Sequence, residues 1–299
     1  MVSPRALPLL LAMAVASAAS MALRGQEAPV RLLEIDAVAL DRAGNPVTDL
    51  KPDDIEVWIG GFRVPVESLR VATPGADERS GRLIVLLLDD LTLDPIMVGR
   101  ARDVAKRFVR RMLPGDRMAV VTLNGGAMHL TSDPSRLIGR IDDLRQSLGV
   151  IPVDQVGEHL LRSVDAVARS VIEAPERRKT IVAIGSAWLL DTPVPPAAIG
   201  RDLRREWMDV IRSMAVADAA YYVIDPRGVG RSRQVGEGLS RETGGHAFSN
   251  TNDLDGAVDQ VLREASHYYV IRVGDPPVGR KSPLRELDVR STRRDVSVR

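Results

Sequence analysis

The stretch Arg82-Leu-Ile-Val-Leu-Leu-Leu-Asp-Asp-Leu-Thr-Leu-Asp-Pro95 decides how the rest of the chain is read. An unbroken apolar run, Leu83 to Leu88, ends in two carboxylates, Asp89 and Asp90. A short apolar run without polar alternation predicts a strand covered on both faces, as in a parallel sheet flanked by helices. Asp94-Pro95 predicts an N-cap followed by proline at the first helical position. The segment therefore reads as strand, acidic loop, helix. In open α/β sheets ligands bind beyond the carboxyl ends of the strands, so this loop marks the edge where function is expected.

The same alternation continues downstream. Ala101, Val104, Ala105, Phe108 and Met112 fall on one helical face. Further strands are predicted at Arg117–Leu123, Ala127–Thr131, Lys179–Ile184, Ala219–Ile224 and around Ala247, with a last parallel-type strand at His267–Val273. Helices are predicted from Asp133 to about Leu148 and over Val156–Ile172, Arg201–Ala215, Gln234–Glu242 and Leu254–Ala265. Strands alternating with helices predict an α/β domain over residues 80–275, a doubly wound, mostly parallel, Rossmann-like sheet. Residues 26–72 lack helical period. There the alternation of Asp54–Ile59, the Gly60-Gly61 turn and Phe62–Val66 predict a small N-terminal antiparallel β unit. Ala72 to Gly81, rich in Pro, Gly, Asp and Ser, reads as a linker. Residues 280–299 read as a C-terminal β extension, a hairpin of Leu284–Val289 and Asp295–Val298.

Composition narrows the function classes. A net charge of +1 over 299 residues speaks against a nucleic-acid binder, which shows a marked basic excess. Aromatics at 3% leave little for base or sugar stacking. The absence of cysteine removes disulfides, thiol catalysis and thiolate metal sites. Residues 1–20 read as a signal peptide: Arg5 is the positive start, Leu7–Val15 the apolar run, and Ala16-Ser17-Ala18 the cleavage pattern. Export to the periplasm or beyond the cell is the expectation. No later run is long enough to span a bilayer.

With these pieces in order, the chain resembles von Willebrand factor type A (VWA) domains, in particular the exported bacterial VWFA-related subgroup. The resemblance rests on Leu86-Leu-Leu-Asp-Asp-Leu91, Pro114-Gly-Asp-Arg-Met-Ala-Val-Val121, Arg178-Lys-Thr-Ile-Val182, Tyr222-Val-Ile-Asp-Pro-Arg-Gly228, Glu242-Thr-Gly-Gly245 and Ser266-His-Tyr-Tyr-Val270. Val47-Thr-Asp-Leu-Lys-Pro-Asp-Asp-Ile-Glu-Val57 adds to it upstream. No one motif is specific; their order is. The resemblance implies protein binding and a metal-ion-dependent adhesion site, in which hydroxyls and carboxylates hold Mg²⁺ and leave one position for a partner's carboxylate.

This chain departs from that pattern. With Asp89 as the first aspartate, the two serine positions fall on Leu91 and Leu93, and leucine cannot ligate a hard cation. Where the family has an acidic residue after the fourth strand, the chain reads Gly185-Ser-Ala-Trp188. The second loop offers Asp154 and no threonine. The metal site is therefore expected to be degenerate, with no cofactor. A shifted Mg²⁺ register through Asp89, Asp90, Thr92 and Asp94 is the alternative.

Other chemistry is thinly marked. Gly228-Val-Gly-Arg-Ser-Arg233 lacks the third glycine of a dinucleotide loop. Ser186 lacks a nucleophile elbow, and His129, His159, His246 and His267 show no metal spacing. Arg100, Arg102, Lys106, Arg107, Arg110 and Arg111 crowd the first helix, as a solvated face or a surface for an anionic partner. The expected function is a non-enzymatic, exported protein-binding module. Its binding edge comprises Asp89, Asp90, Thr92, Asp154 and Ser186. A metal-assisted hydrolase on the same carboxylates and a structural envelope component are the alternatives.

Overall fold

The computed structural model describes residues 32–72, 81–147, 151–152, 155–186, 203–230, 238–274 and 287–299. The proposed signal peptide, the linker core and Asp154 lie outside these residues.

The expected α/β sheet forms. Strands β6 (Leu83–Leu88), β7 (Arg117–Thr122), β8 (Lys179–Ile184), β9 (Ala219–Ile224) and β10 (Ala247–Phe248) make one five-stranded sheet in the order β10-β9-β8-β6-β7. Every pairing in it is parallel. The central strand shows why its sequence is uniformly apolar. Ile84, Leu86 and Leu88 pack on one face, with α1 (Pro95–Arg110), α2 (Pro134–Asp142) and α6 (Leu254–Ser266). Leu83, Val85 and Leu87 pack on the other, with α3 (Val156–Ser170), α4 (Arg204–Ala217) and α5 (Leu239–Glu242). All six side chains are fully buried. At about 1.5–3 kcal/mol for each such side chain removed from water, this strand anchors the domain.

Three sequence expectations are corrected by strand pairing. Ala127–Thr131 is not a full strand; it touches β7 through a single antiparallel bridge, Met118 to Thr131, with reciprocal hydrogen bonds of 2.9 Å. The His267–Val273 run does not join the parallel sheet. Its strand, β11 (Tyr268–Val273), lies between β1 (Leu33–Ala37) and β5 (Val66–Ala72) and is antiparallel to both. It is apolar on both faces for a different reason. Tyr269, Ile271 and Val273 enter the β-unit core, while Tyr268 and Val270 pack on the opposite side. Nor do the last two strands form a hairpin. β12 (Leu287–Ser291) pairs with β3 (Ile55–Ile59), whose other neighbour is β4 (Phe62–Val64). β13 (Ser297–Val298) pairs with β2 (Ala39–Leu40).

The β unit is therefore discontinuous. The sheets β1-β11-β5 and β12-β3-β4 share one apolar core drawn from both ends of the chain. The α/β domain is inserted between β5 and β11. At its amino-end base Arg177, just ahead of β8, pairs with Glu34 and Asp36 of β1.

Candidate functional site

In the large sheet the chain runs outward from β6 in two directions, to β7 on one side and to β8 on the other. The carboxyl ends of β6 and β8, neighbours in the sheet, mark the topological switch point of an open α/β sheet. Register fixes what lines it. Leu88 pairs with Ile184, and Ile184 with Ile224. The next row outward is therefore Asp89, Gly185 and Asp225. Gly185 is required there: a Cβ on it would stand 2.3 Å from the Cβ of Asp89.

Asp89 is fully buried and ties the ends of β6 and β8 together. One oxygen, Oδ1, accepts from the backbone N–H of Leu91 at 3.1 Å and of Thr92 at 2.8 Å. The other, Oδ2, accepts from the Thr92 hydroxyl and from the Ser186 N–H at 3.2 Å. Thr92 Oγ1 also lies 3.2 Å from Ser186 Oγ. Burial pushes the Asp89 carboxyl above its ordinary range, against the pull of the Thr92, Ser186 and Leu91 donors toward the anion. Thr92 remains partly exposed at the rim, and Ser186 is buried.

The neighbouring carboxylates serve other groups. Asp90 accepts from Asn124 N at 3.0 Å and from Ser147 Oγ at 3.0 Å, and its carbonyl accepts from Ser147 N at 2.7 Å. It fastens the β7 loop and the segment after α2 to the edge. Asp94 caps α1, accepting from Met97 N at 3.0 Å, with Pro95 in the first turn. Of the sequence-predicted set, Asp89, Thr92 and Ser186 come together, Asp90 faces the β7 side, and Asp94 is a cap.

Among the described residues, the oxygens of this edge are engaged within the protein. Both Asp89 oxygens are filled by protein donors. Leu93 is 1% exposed in the core and Leu91 packs against the opposite core, so neither hydroxyl position of the adhesion pattern has a substitute. Among the described residues no group of three or more His, Cys, Asp or Glu could hold a metal ion.

Two contributors escaped sequence reading. Asp225 follows β9 as Asp89 follows β6, and the repeated apolar-run-to-aspartate pattern was the available signal. It is fully buried and accepts from Arg227 Nη2 at 2.6 Å, Nε at 3.0 Å and N at 2.9 Å. The other is Ser147, whose hydroxyl and backbone N–H both bond to Asp90. The basic face of α1 is largely engaged with neighbouring helices. Lys106 pairs with Asp142 at 2.5 Å, Arg107 with Asp255 at 3.4 Å, and Arg111 with Asp255 at 3.0 Å and Asp259 at 2.9 Å.

No family model matches the chain, and no curated protein does. Among solved structures it is similar to proximal thread matrix protein 1 of the mussel byssus, described with a zinc-occupied MIDAS motif, at 13% identity and a TM-score of 0.43. That match covers 70% of this chain and 50% of the other, so the chain spans about half the length of that protein. It is also similar to the SpRpn10 VWA domain, at 13% identity and a TM-score of 0.36, over 60% of this chain and 93% of that one. The PilB minor pilin from Streptococcus sanguinis is similar at 11% identity and a TM-score of 0.35, over 83% and 91% of the two chains. Structures carrying the VWA name thus occur among its neighbours. At these scores the fold rests on the strand order and register of the chain itself.

Proposed function

We propose that this protein is a non-enzymatic, exported protein-binding module of VWA type that engages its partner at the switch-point edge without a metal ion. The observation that carries this reading is Asp89, which holds the β6 and β8 loops in one fixed arrangement through four protein donors. A preorganised edge loses little entropy on binding. Around this centre the rim offers Thr92, Asn124, Arg227 and the exposed Val229, a mixed polar and apolar surface of the kind protein partners use.

A hydrolase on the same carboxylates gains no support from the site. A base must reach its nucleophile by hydrogen bond or through one water. His159 Nε2 instead contacts the Leu123 carbonyl at 2.7 Å, His267 contacts the Arg263 carbonyl at 3.1 Å, and His246 packs edge-on to Phe248. Export is proposed from the signal-like segment at residues 1–20. No helix among the described residues is long and apolar enough to cross a membrane.

Charge placed on the rim tests the reading. Asn124→Arg with Val229→Arg is expected to dissociate the native complex on size-exclusion chromatography of extracts from the producing cells. Val216→Arg, at the base of the domain, is expected to leave it intact. A complex lost only with the base variant would overturn the proposal.

A further inference from the structure

The β unit carries a cleft that the switch-point edge does not use. It lies on the outer face of the sheet β12-β3-β4. Strand periodicity builds that face. On β3, Ile55, Val57 and Ile59 turn into the β-unit core, so Glu56 and Trp58 between them turn outward. Register places Asp288 of β12 opposite Trp58 on one side and Arg63 of β4 opposite it on the other. Arg290 stands opposite Glu56. Directly opposed residues share a face, so these charged side chains flank the indole.

The cleft encloses about 220 Å³, and Trp58, Gly61, Asp288 and Arg290 line it. Gly61, at φ 82° in the turn between β3 and β4, has no side chain to fill the space. The volume lies below the roughly 300–1,000 Å³ of pockets for drug-sized ligands, and suits a single ring. Among the described residues the charges of this face cancel. Arg63 pairs with Glu56 at 3.1 Å, and Arg290 Nε donates to Asp288 at 2.7 Å. A neutral molecule is therefore favoured over an ion. The polar groups are a carboxylate beside a guanidinium, an acceptor next to donors. Neighbouring hydroxyls, each of which both donates and accepts, match that array. The indole adds a flat apolar surface with one polar handle. Its Nε1 is enclosed and has no hydrogen-bond partner. A buried donor left unpaired costs stability, which an oxygen acceptor brought into the cleft would recover. Asp288 and Arg290 have side chains 40% and 64% exposed, so they can turn aside for an incoming group without disturbing the core.

We propose that this cleft binds a neutral saccharide, with one pyranose ring against Trp58 and its hydroxyls on Asp288 and Arg290. The low aromatic content of the chain is no obstacle, since one ring needs one indole. The site belongs to the β unit, so it is independent of the protein-binding edge on the α/β domain.

NMR of the nitrogen-labelled full chain tests this, because each tryptophan gives its own indole N–H signal. The probes are methyl β-glucopyranoside, methyl β-galactopyranoside and N-acetylglucosamine, each at millimolar concentration. The Trp58 signal, identified by its loss in Trp58→Phe, is expected to shift saturably with at least one of them, and that of Trp207 to stay in place. Trp58→Ala should weaken that binding at least about tenfold, the usual cost of removing a stacked aromatic. Asp288→Asn should also weaken it, without touching the core. Glucuronic acid and glucosamine, charged forms of the ring, should bind more weakly than the neutral sugars. A Trp58 signal that no saccharide moves would overturn the proposal. So would a signal moved by a proline-rich peptide and by no sugar, or binding unchanged in both variants. Should Trp58→Ala fail to fold, the wild-type titration and Asp288→Asn decide.

Discussion

A Cβ at Gly185 would stand 2.3 Å from the Cβ of Asp89 and 2.7 Å from its Oδ2. The switch-point edge is tightly packed at that contact: the position just after β8 must lack a side chain for the buried carboxylate to fit. Gly185→Ala is expected to destabilise the fold by about 1–3 kcal/mol, the range for overpacking a filled interior. Urea unfolding would show a lower midpoint at unchanged slope.

Removing the carboxylate should cost more than removing a surface charge. Asp89→Ala leaves the N–H groups of Leu91, Thr92 and Ser186 without their acceptor. Unsatisfied buried donors cost about 1–3 kcal/mol each before any relaxation, so a loss of at least about 3 kcal/mol is expected. Thr92→Val, which removes one hydroxyl donor, should cost about 1 kcal/mol. Equal losses in the two variants would contradict the central place given to Asp89.

Asp94 has a purely local role. Asp94→Ala should lower stability by about 1 kcal/mol through the lost cap of α1, and Asp94→Ser should restore most of it. Recovery by serine, which carries no charge, separates capping from cation binding.

Metal should have no effect. Calorimetric titration with Mg²⁺ or Mn²⁺ at millimolar concentration is expected to show no saturable heat, with the melting temperature unchanged. Saturable binding that raises the melting temperature and disappears in Ser186→Ala would contradict the account, since a ligand held only by the folded state stabilises it by mass action.

The α/β architecture was legible because its strands are apolar on both faces and its helices carry single apolar stripes. Leu83–Leu88 alone marked the centre of the sheet, and Asp94-Pro95 marked the helix start. The β11 error has the same origin as that success. A strand buried on both faces reads alike whether helices cover it or a β core lies on one side, and Tyr268–Val273 is the second kind. The pairings of β12 with β3 and β13 with β2 link residues more than two hundred positions apart, which no local pattern encodes.

At the site, Asp89, Thr92 and Ser186 could be named because each sits at or just beyond a strand end. Ser147 could not, since it reaches Asp90 only after α2 ends at Asp142 and the chain turns back toward the edge.

The central claim is that partner recognition runs through the switch-point edge. Site-specific photo-crosslinking in the producing cells tests it most directly, with a photoreactive side chain at Asn124 or Val229 on the edge and at Val216 on the base. Val229 and Val216 are comparably exposed, at 59% and 63%, so accessibility does not separate them. The account predicts a discrete protein adduct from the two edge positions and none from Val216. An adduct from Val216 with none from the edge would contradict it.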